Sequence, residues 1–350
     1  MTIEVVKTDK QEEWDSYVTQ ASHATPFHQY AALDLFADHT NTDLHLLIGY
    51  KGQEPVELLP LFETRRGPFN KIHSPPDAAE IAHLGPVRLH SNGVKQRKTE
   101  KDHRRFVNAC WEWIETSIEP DFVSLWSSDR YTDVRPYLWN DFEASPRYIY
   151  IIELGSGVEA LFSELTKETR RRIRNTDEQA YEIVEGDLDT TQLIVRQLQN
   201  RHEEQGMSYG LTPELMAELH ARLPEEQLHP YCLCIDEKMV SGLLALEFGD
   251  TMHVWIGGVK TDVDLPVNEL LYWHVIEQAA AKDLDRVDLT TAMIPSLADY
   301  KSKFGPEPRV MFELRWESQI WQATKFGYRR LPKRSHELIQ SFLSRIQHYN

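Results

Sequence analysis

The basic run from Lys167 to Arg174 is the first segment of the sequence with side chains suited to chemistry. Five of its residues are cationic and only Glu168 is acidic, which gives a net charge of +4. On a helix, Arg170 and Arg174 share one face. Because a guanidinium can bind two oxygens of one phosphate, Arg170, Arg171 and Arg174 are predicted to bind a phosphorylated ligand. The alternative is a solvated helix that balances an acidic surface.

Three titratable side chains in apolar strands are candidates for proton transfer. Glu247 interrupts an apolar run, His253 lies in the following strand, and Asp288 lies in a later one. A carboxylate or imidazole among apolar residues has a perturbed pKa, which suits a general base. The structural alternatives stay open: a satisfied histidine, or an aspartate that orients the next turn.

The composition and the remaining motifs exclude other function classes. Acidic residues outnumber basic ones by 55 to 38, so the net charge of −17 repels nucleic acid and anionic lipid except at a local basic patch. Cys232 and Cys234 have no second Cys/His pair at zinc spacing, so no metal site is predicted. No P-loop, G-x-S-x-G or G-x-G-x-x-G motif occurs. With three cysteines, no signal-like start and no run of 18 apolar residues, we expect a cytoplasmic protein without a membrane span.

The candidate residues lie in a recognisable order of predicted elements. Alternating apolar residues and short turns predict an antiparallel meander of three strands, Tyr231–Ile235, Met239–Phe248 and Met252–Val259. Apolar residues from Val267 to Ala279 then recur with helical spacing. The prediction continues with a strand, a short helix and a last strand, at 286–290, 296–303 and 309–314.

The first half of the chain has a similar rhythm. It begins with a strand and two helices, which a hairpin of Leu44–Tyr50 and Val56–Phe62, another helix and further strands follow. Gly155 to Gly157 is the best linker candidate. We therefore predict an α+β fold with mixed, mostly antiparallel sheets. The predicted domains are 1–154 and 155–317, packed face to face, with a C-terminal helical extension at 318–350 that Gly327 and Pro332 interrupt.

Three segments together resemble a known family. Leu161–Arg174 is similar to its "L-x-K-x-x-R-x-x-I-R" helix pair, and Leu265–Tyr272 is similar to the loop and helix start after its fourth strand. Asp288–Thr290 followed by Asp299–Gly305 resembles its "D-h-G … F/Y-K-x-x-F-G" ending. This is the GNAT (acyl-CoA N-acyltransferase) family that joins two domains in one chain, as in the Fem-type peptidyltransferases and related acetyltransferases.

The resemblance implies N-acyl transfer to an amine in a cleft of the second domain. Lys301 matches the lysine that is implied to stabilise the acyl oxygen, with Lys303 in reserve, and Tyr300 would position or protonate the leaving group. The alternatives are a surface lysine and a packed aromatic. We also assign to donor or substrate binding Asn268, in the second similar segment, and Trp255, which shares a strand face with His253. The sequence departs from the family where Thr290 or Thr291 replaces a glycine.

The donor stays open between two classes. Many CoA-binding relatives grip pyrophosphate with a glycine-rich loop at the start of a helix, but here that loop is 260–266, which has no glycine and contains Asp262 and Asp264. The residues therefore do not support CoA binding by the usual route, and acyl-CoA is kept as one candidate cosubstrate. Aminoacyl-tRNA, the donor of the Fem-type enzymes, is the other candidate. Binding of tRNA would need a basic patch, such as the predicted helix 167–174 or the segment 95–105. The acceptor would be a small-molecule or peptide amine.

A third hypothesis is a binding or scaffold protein that keeps the fold without activity, since fold alone does not establish chemistry. The missing glycine-rich loop favours it, and the pair Tyr300–Lys301 argues against it. The sequence does not indicate the oligomeric state.

Overall fold

The computed structural model describes residues 2–21, 23–89 and 95–329, and their strands join into one continuous mixed sheet. The first half of the chain contributes β1 Glu4–Thr8, α1 Gln11–Val18, α2 Tyr30–Thr40, β2 Asp43–Lys51, β3 Glu54–Arg66, β4 Phe69–Ser74, β5 Val87–Arg88, α3 Gln96–Ser117, β6 Phe122–Trp126, α4 Arg135–Leu138 and β7 Glu143–Glu153.

The second half repeats this order after an extra helix pair. Its elements are α5 Val158–Glu164, α6 Lys167–Asn175, β8 Glu182–Glu185, α7 Leu188–Glu204, α8 Pro213–Arg222, β9 Leu228–Ile235, β10 Lys238–Phe248, β11 Thr251–Gly257, α9 Val267–Ala281, β12 Arg286–Thr291, α10 Pro295–Lys301, β13 Glu307–Glu317 and α11 Gln319–Arg329. The predicted α+β class with mostly antiparallel pairing is confirmed, and it has the tandem GNAT-like arrangement.

The two halves meet edge to edge, so the predicted face-to-face packing is wrong. The strand order is β1-β2-β3-β4-β6-β13-β7-β12-β11-β10-β9-β8, with β5 beside β3. Each half therefore gives its last strand to the other: β13 pairs with β6, and β7 pairs with β12. The two exchanged strands also pair with each other along nine residues each. The division of the chain at residue 154 stays a prediction, because the sheet is shared across it.

Three large apolar cores support this sheet. One core is shared by the halves, since it contains Phe36 of α2 and Met216 of α8. The others form where α3 covers the first half and where α9 covers the second. The sequence predicts one apolar face for α9, but nine of its residues are buried because α5 and α6 cover its other side.

Two helices differ from their predicted bounds. We predict a helix at 104–117, but α3 begins eight residues earlier, at Gln96, within a run of good helix formers in which the Gln96 amide donates to Glu100 at 3.2 Å. The last described helix, α11, passes through Gly327 rather than ending there. The remainder of the predicted extension, 330–350, lies outside the described residues. Within the described ranges, no helix has the length and apolar character needed to cross a bilayer.

Candidate active site

The parallel strands β11 and β12 part after three paired positions. The last pair is His253 and Asp288. Beyond it, β11 turns towards β10, where the Gly258 amide donates to the Gly242 carbonyl at 2.9 Å. Meanwhile β12 stays beside β7, with Thr291 opposite Ile149. The strands thus leave a wedge between 254–258 and 289–292, and ligands commonly bind beyond the carboxyl ends of parallel strands.

A glycine is needed where β11 turns away. Gly257 has a φ of 120°, and a Cβ there would lie 2.3 Å from the Gly242 oxygen. Asn268, at the start of α9, fixes the same turn because its Nδ2 donates to the carbonyls of Gly258 at 2.9 Å and Val259 at 3.2 Å. The predicted binding residue Asn268 therefore shapes one side of the wedge.

Asp288 is the centre of a buried polar network. Its Oδ1 accepts from the Thr290 amide at 2.7 Å. Its Oδ2 lies 3.3 Å from Nδ1 of His253 and 3.4 Å from Nε2 of His83. Burial would raise the pKa of Asp288, but the hydrogen bonds and charges of the two histidines together hold that pKa well below its ordinary value. Asp288 is therefore an anion that orients two imidazoles.

Elements from both halves enclose this network. A cavity of about 20 Å³, enough for one water molecule, is lined by His83 and Ser128 of the first half and by His253 and Arg286 of the second. Sequence reasoning missed His83, because no local motif connects it to Asp288, 205 residues away. Arg286 is held in place by Asp129 at 2.8 Å, a further ion pair across the halves.

Lys301 joins the network from the end of α10. Its side chain is buried, and its Nζ donates to the Thr290 hydroxyl at 3.2 Å and to the Thr291 carbonyl at 3.1 Å. An ammonium has three protons, so one more can be donated. Burial lowers the pKa of Lys301 to about 8, against the opposing effect of the Asp288 charge. Lys301 therefore carries a charge at neutral pH in a place shielded from bulk water.

Thr290 connects Lys301 to Asp288 at a cost in backbone strain. Its φ is 61°, in the left-handed region, where a β-branched residue is an outlier. The resembling family has a glycine at the position of Thr290 or Thr291. A threonine thus occupies a left-handed turn here, and its hydroxyl accepts from Lys301 while its amide donates to Asp288. Strain of this kind concentrates at functional sites.

Several buried polar atoms around the wedge find no hydrogen-bond partner among the described residues. They are Nε2 of His253, Nδ1 of His83, Oδ1 of Asn268 and the hydroxyl of Tyr300. Buried polar groups are nearly always paired, so such atoms need an explanation. Two of them, on His83 and His253, belong to residues that line the small cavity, where a water or a substrate atom could supply the partner.

Tyr300 and Lys303 lie beside Lys301. The Tyr300 ring packs against Tyr272 and Phe304, with centroid separations of 5.7 and 5.8 Å, and Nζ of Lys303 lies 5.0 Å from the Tyr300 centroid. Burial, and then the neighbouring Glu269 charge, raise the pKa of Tyr300 above its ordinary value. The phenol therefore keeps its proton and can donate it.

The predicted phosphate-binding helix α6 is attached to this region, but its arginines have internal contacts. The amide of Thr166 donates to the Lys303 carbonyl at 2.9 Å. Arg170 donates to the Ser163 carbonyl at 2.6 Å, and the Arg174 guanidinium lies 4.9 Å from the Phe162 centroid. Arg171 is exposed. The structure thus brings α6 next to the predicted catalytic segment.

The start of α9 carries negative charge. Glu269 is buried in its first turn and pairs with Arg172 of α6 at 2.7 Å. Because Arg172 neutralises Glu269, the charges that oppose a diphosphate at this helix N-terminus are those of Asp262 and Asp264 in the preceding loop.

Trp255 occupies a core position. It is 7% exposed, its ring packs 4.8 Å from Phe27 and 6.3 Å from Phe36, and its Nε1 donates to the Glu80 carbonyl at 2.9 Å. Ligand binding by Trp255 stays a prediction, and in this structure residues of the first half fill the space around its ring.

Comparisons with known proteins bear on the fold and on part of the chain. Residues 163–302 match the family model "Acetyltransferase (GNAT) domain". No curated protein sequence matches the chain. Among solved structures, FemX is similar over 89% of this chain and 96% of its own, with a TM-score of 0.68 and 10% identity.

Two further structures share the fold. The L-PGS structure from Bacillus licheniformis has a TM-score of 0.54 at 11% identity, covering 89% of this chain and 92% of its own. A tandem GNAT protein from the clavulanic acid biosynthesis pathway has a TM-score of 0.50 at 11% identity, covering 90% and 98%. Residues 163–302 therefore form a domain of the GNAT superfamily, and the whole chain has the fold that FemX and tandem GNAT proteins share.

Proposed function

We propose that the chain is an N-acyltransferase in which an acyl or aminoacyl group passes to an amine at the wedge between β11 and β12. One observation carries the proposal: the buried ammonium of Lys301 is joined through Thr290 to Asp288 and His253 at the point where the parallel strands part. The GNAT family match supports acyl transfer.

Lys301 would stabilise the negative charge that develops on the acyl oxygen. Two of its protons are held by Thr290 and Thr291, which aim the third. A fixed charge in a shielded site stabilises a developing oxyanion more than water does. Because the geometry exists before the substrate binds, no reorganisation is needed during the reaction.

His253 would accept the proton of the attacking amine. Asp288 accepts from Nδ1–H of His253, so in this tautomer the lone pair is on Nε2, the atom without a partner. As the amine nitrogen attacks the acyl carbon, the N–H proton moves to Nε2. Asp288 stabilises the imidazolium that forms, and His83 holds Asp288 from the other side.

Collapse of the tetrahedral intermediate then breaks the bond between the acyl carbon and the sulfur or oxygen of the donor. The leaving atom departs with the electron pair and takes a proton from the Tyr300 hydroxyl, which is neutral and has no partner. The imidazolium of His253 returns a proton to Tyr300 through solvent, so the enzyme is regenerated.

Two classes of molecule are candidates for the acyl donor. The acidic loop before α9 disfavours a CoA diphosphate at that helix, and this observation favours an aminoacyl-tRNA donor, whose terminal ester needs no such site. An acyl-CoA whose phosphates lie on Arg171 of α6 is the other candidate.

The test incubates the purified chain with labelled acetyl-CoA or charged tRNA and a panel of amines. Turnover with one donor is expected, with a loss of about 10²–10³-fold in Lys301→Met and little change in the matched control Lys303→Met. Equal losses in both variants, or none, would contradict the role of Lys301. Absence of product and of donor binding with both donors would instead favour the scaffold hypothesis.

A further inference from the structure

A second cavity, of about 170 Å³, lies in the first half, away from the Asp288 network. It opens where the C-terminal end of α2 meets strands β3 and β4. Residues that line it and bear on its chemistry are Thr40, Thr42, Thr64, Arg66, Lys71 and His73. None of them lines the cavity beside His253. The walls therefore combine cations and hydroxyl groups with one carboxylate, that of Asp77.

Two cationic side chains that line this cavity, Arg66 and Lys71, form no ion pair with a carboxylate of the described residues. Neither Arg66 nor Lys71 has a carboxylate oxygen within 4.0 Å among the described residues, although acidic residues outnumber basic ones in the chain. The nearby acid, Asp77, pairs with His73 at 3.5 Å and is largely exposed. Arg66 and Lys71 thus place two positive charges at this cavity without a direct ion pair, and the charge of Asp77, which also lines the cavity, offsets them in part.

Both charges act on the same space. Burial, and then the Arg66 charge, lower the pKa of Lys71, against the opposing effect of the Asp77 charge. Burial also lowers the pKa of His73; the Asp77 charge opposes this shift, and the charges of Lys71 and Arg66 add to it. The Lys71 ammonium is held 4.6 Å from the centroid of Trp321 on α11. An anion between Arg66 and Lys71 would relieve this repulsion, and it would be attracted by a focused field inside an otherwise acidic protein.

The C-terminal end of α2 does not cancel that attraction. Its last carbonyls are already paired, because the amides of Asn41 and Thr42 donate to Asp38 and Ala37 at 3.2 and 2.9 Å. The Thr40 hydroxyl donates to the Phe36 carbonyl, and its oxygen lies 3.1 Å from the Thr42 hydroxyl oxygen. The Thr64 hydroxyl is directed by strand pairing to the side of Lys71, its cross-strand partner.

We propose that this cavity binds the phosphate group of a small phosphorylated molecule, at a site separate from the wedge. The guanidinium of Arg66 offers a fork for two phosphate oxygens, Lys71 adds a compact charge, and the Thr64 hydroxyl can donate a further hydrogen bond. The volume admits one phosphate with a small organic group. The proposal does not depend on acyl transfer.

Neighbouring arginines provide a matched pair of variants for the test. Arg66 lines the cavity, whereas Arg65 points to the opposite face of β3 and donates to Glu63 at 3.0 Å. Arg66→Gln and Arg65→Gln remove the same charge from adjacent, exposed side chains. Lys71→Met keeps the apolar stem under Trp321 and removes the second cation.

The measurement is calorimetric titration of the full chain with inorganic phosphate at constant ionic strength. Saturable binding is expected in the wild type and Arg65→Gln, and it should weaken about tenfold or more in Arg66→Gln and in Lys71→Met. Equal weakening in the two arginine variants would overturn the proposal, because it would mean a diffuse charge effect. So would equal binding of acetate, or no saturation below about 10 mM phosphate.

Discussion

Each half of the molecule contains one pair of parallel strands, and the two pairs end differently. In the first half β4 runs parallel to β6, with His73 opposite Ser124. In the second half β11 runs parallel to β12, with His253 opposite Asp288. The histidines are thus at corresponding places, but only the second faces a carboxylate on its partner strand.

The first pair is closed by its own chain. After β4 the loop returns to the end of β6, where the amides of Leu84 and Gly85 both donate to the Trp126 carbonyl, at 3.3 and 2.8 Å. The edge that remains open in the second half is therefore hydrogen-bonded internally in the first. A repeated fold element thus carries a candidate site in one copy and a structural contact in the other.

The closing loop also completes the second half. It places the Glu80 carbonyl on Trp255 and His83 on Asp288. The loss of a wedge in the first half is therefore coupled to the assembly of the network in the second. This comparison predicts that changes at corresponding positions of the two pairs have very different consequences.

The largest difference is expected at the residues opposite the two histidines. Asp288→Asn keeps the shape but removes the charge that orients His253, so kcat should fall about 10²–10³-fold while KM for the donor stays within about threefold. Ser124→Ala, the corresponding change in the first half, should alter kcat less than about twofold. Steady-state kinetics, with whichever donor gives turnover in the labelling experiment, checks both. Similar losses in the two variants would show that the pairs are not specialised as we infer.

A smaller effect is expected on stability at the closed pair. A Cβ on Gly85 would lie 2.7 Å from the Trp126 carbonyl oxygen, which belongs to the backbone and cannot swing away. Gly85→Ala should therefore lower the free energy of unfolding by about 1–3 kcal/mol. Gly155→Ala is the matched control, because nothing lies within 4 Å of its added Cβ. Urea unfolding measures both, and equal values would mean that this contact does not close the first half.

Much of the fold around the second pair follows from local sequence pattern. Alternation between Tyr231 and Val259 predicts the meander, and helical spacing from Val267 predicts α9, because both patterns are set by nearest neighbours along the chain. The motif around Lys301 likewise locates the end of α10. These segments are therefore specified by local pattern rather than by contacts with the other half.

What the sequence does not reveal is contributed from far along the chain. His83 reaches Asp288 across 205 residues, and the exchange of β7 and β13 depends on which sheet edge each strand meets. The sequence around Trp255 does not predict that its ring is packed in a core, because Phe27 and Phe36, which contact the ring, come from the first half. At Thr290 the local preference of the residue is overridden. A threonine disfavours a left-handed φ, but the hydrogen bonds of its amide to Asp288 and of its hydroxyl with Lys301 hold it in that conformation.

The smallest predicted effect is on the pH dependence of kcat, and it tests only the second pair of strands, β11 and β12. The pKa of Lys301, lowered to about 8 by burial, means that the ammonium loses its proton above that pH. If the ammonium polarises the acyl oxygen, kcat should fall about tenfold per pH unit above pH 8. An alkoxyamine acceptor, neutral throughout this range, keeps acceptor ionisation out of the profile. Lys303→Met should retain the fall, whereas the residual rate of Lys301→Met should lack it; a wild-type rate that still rises through pH 9 would remove Lys301 from the reaction.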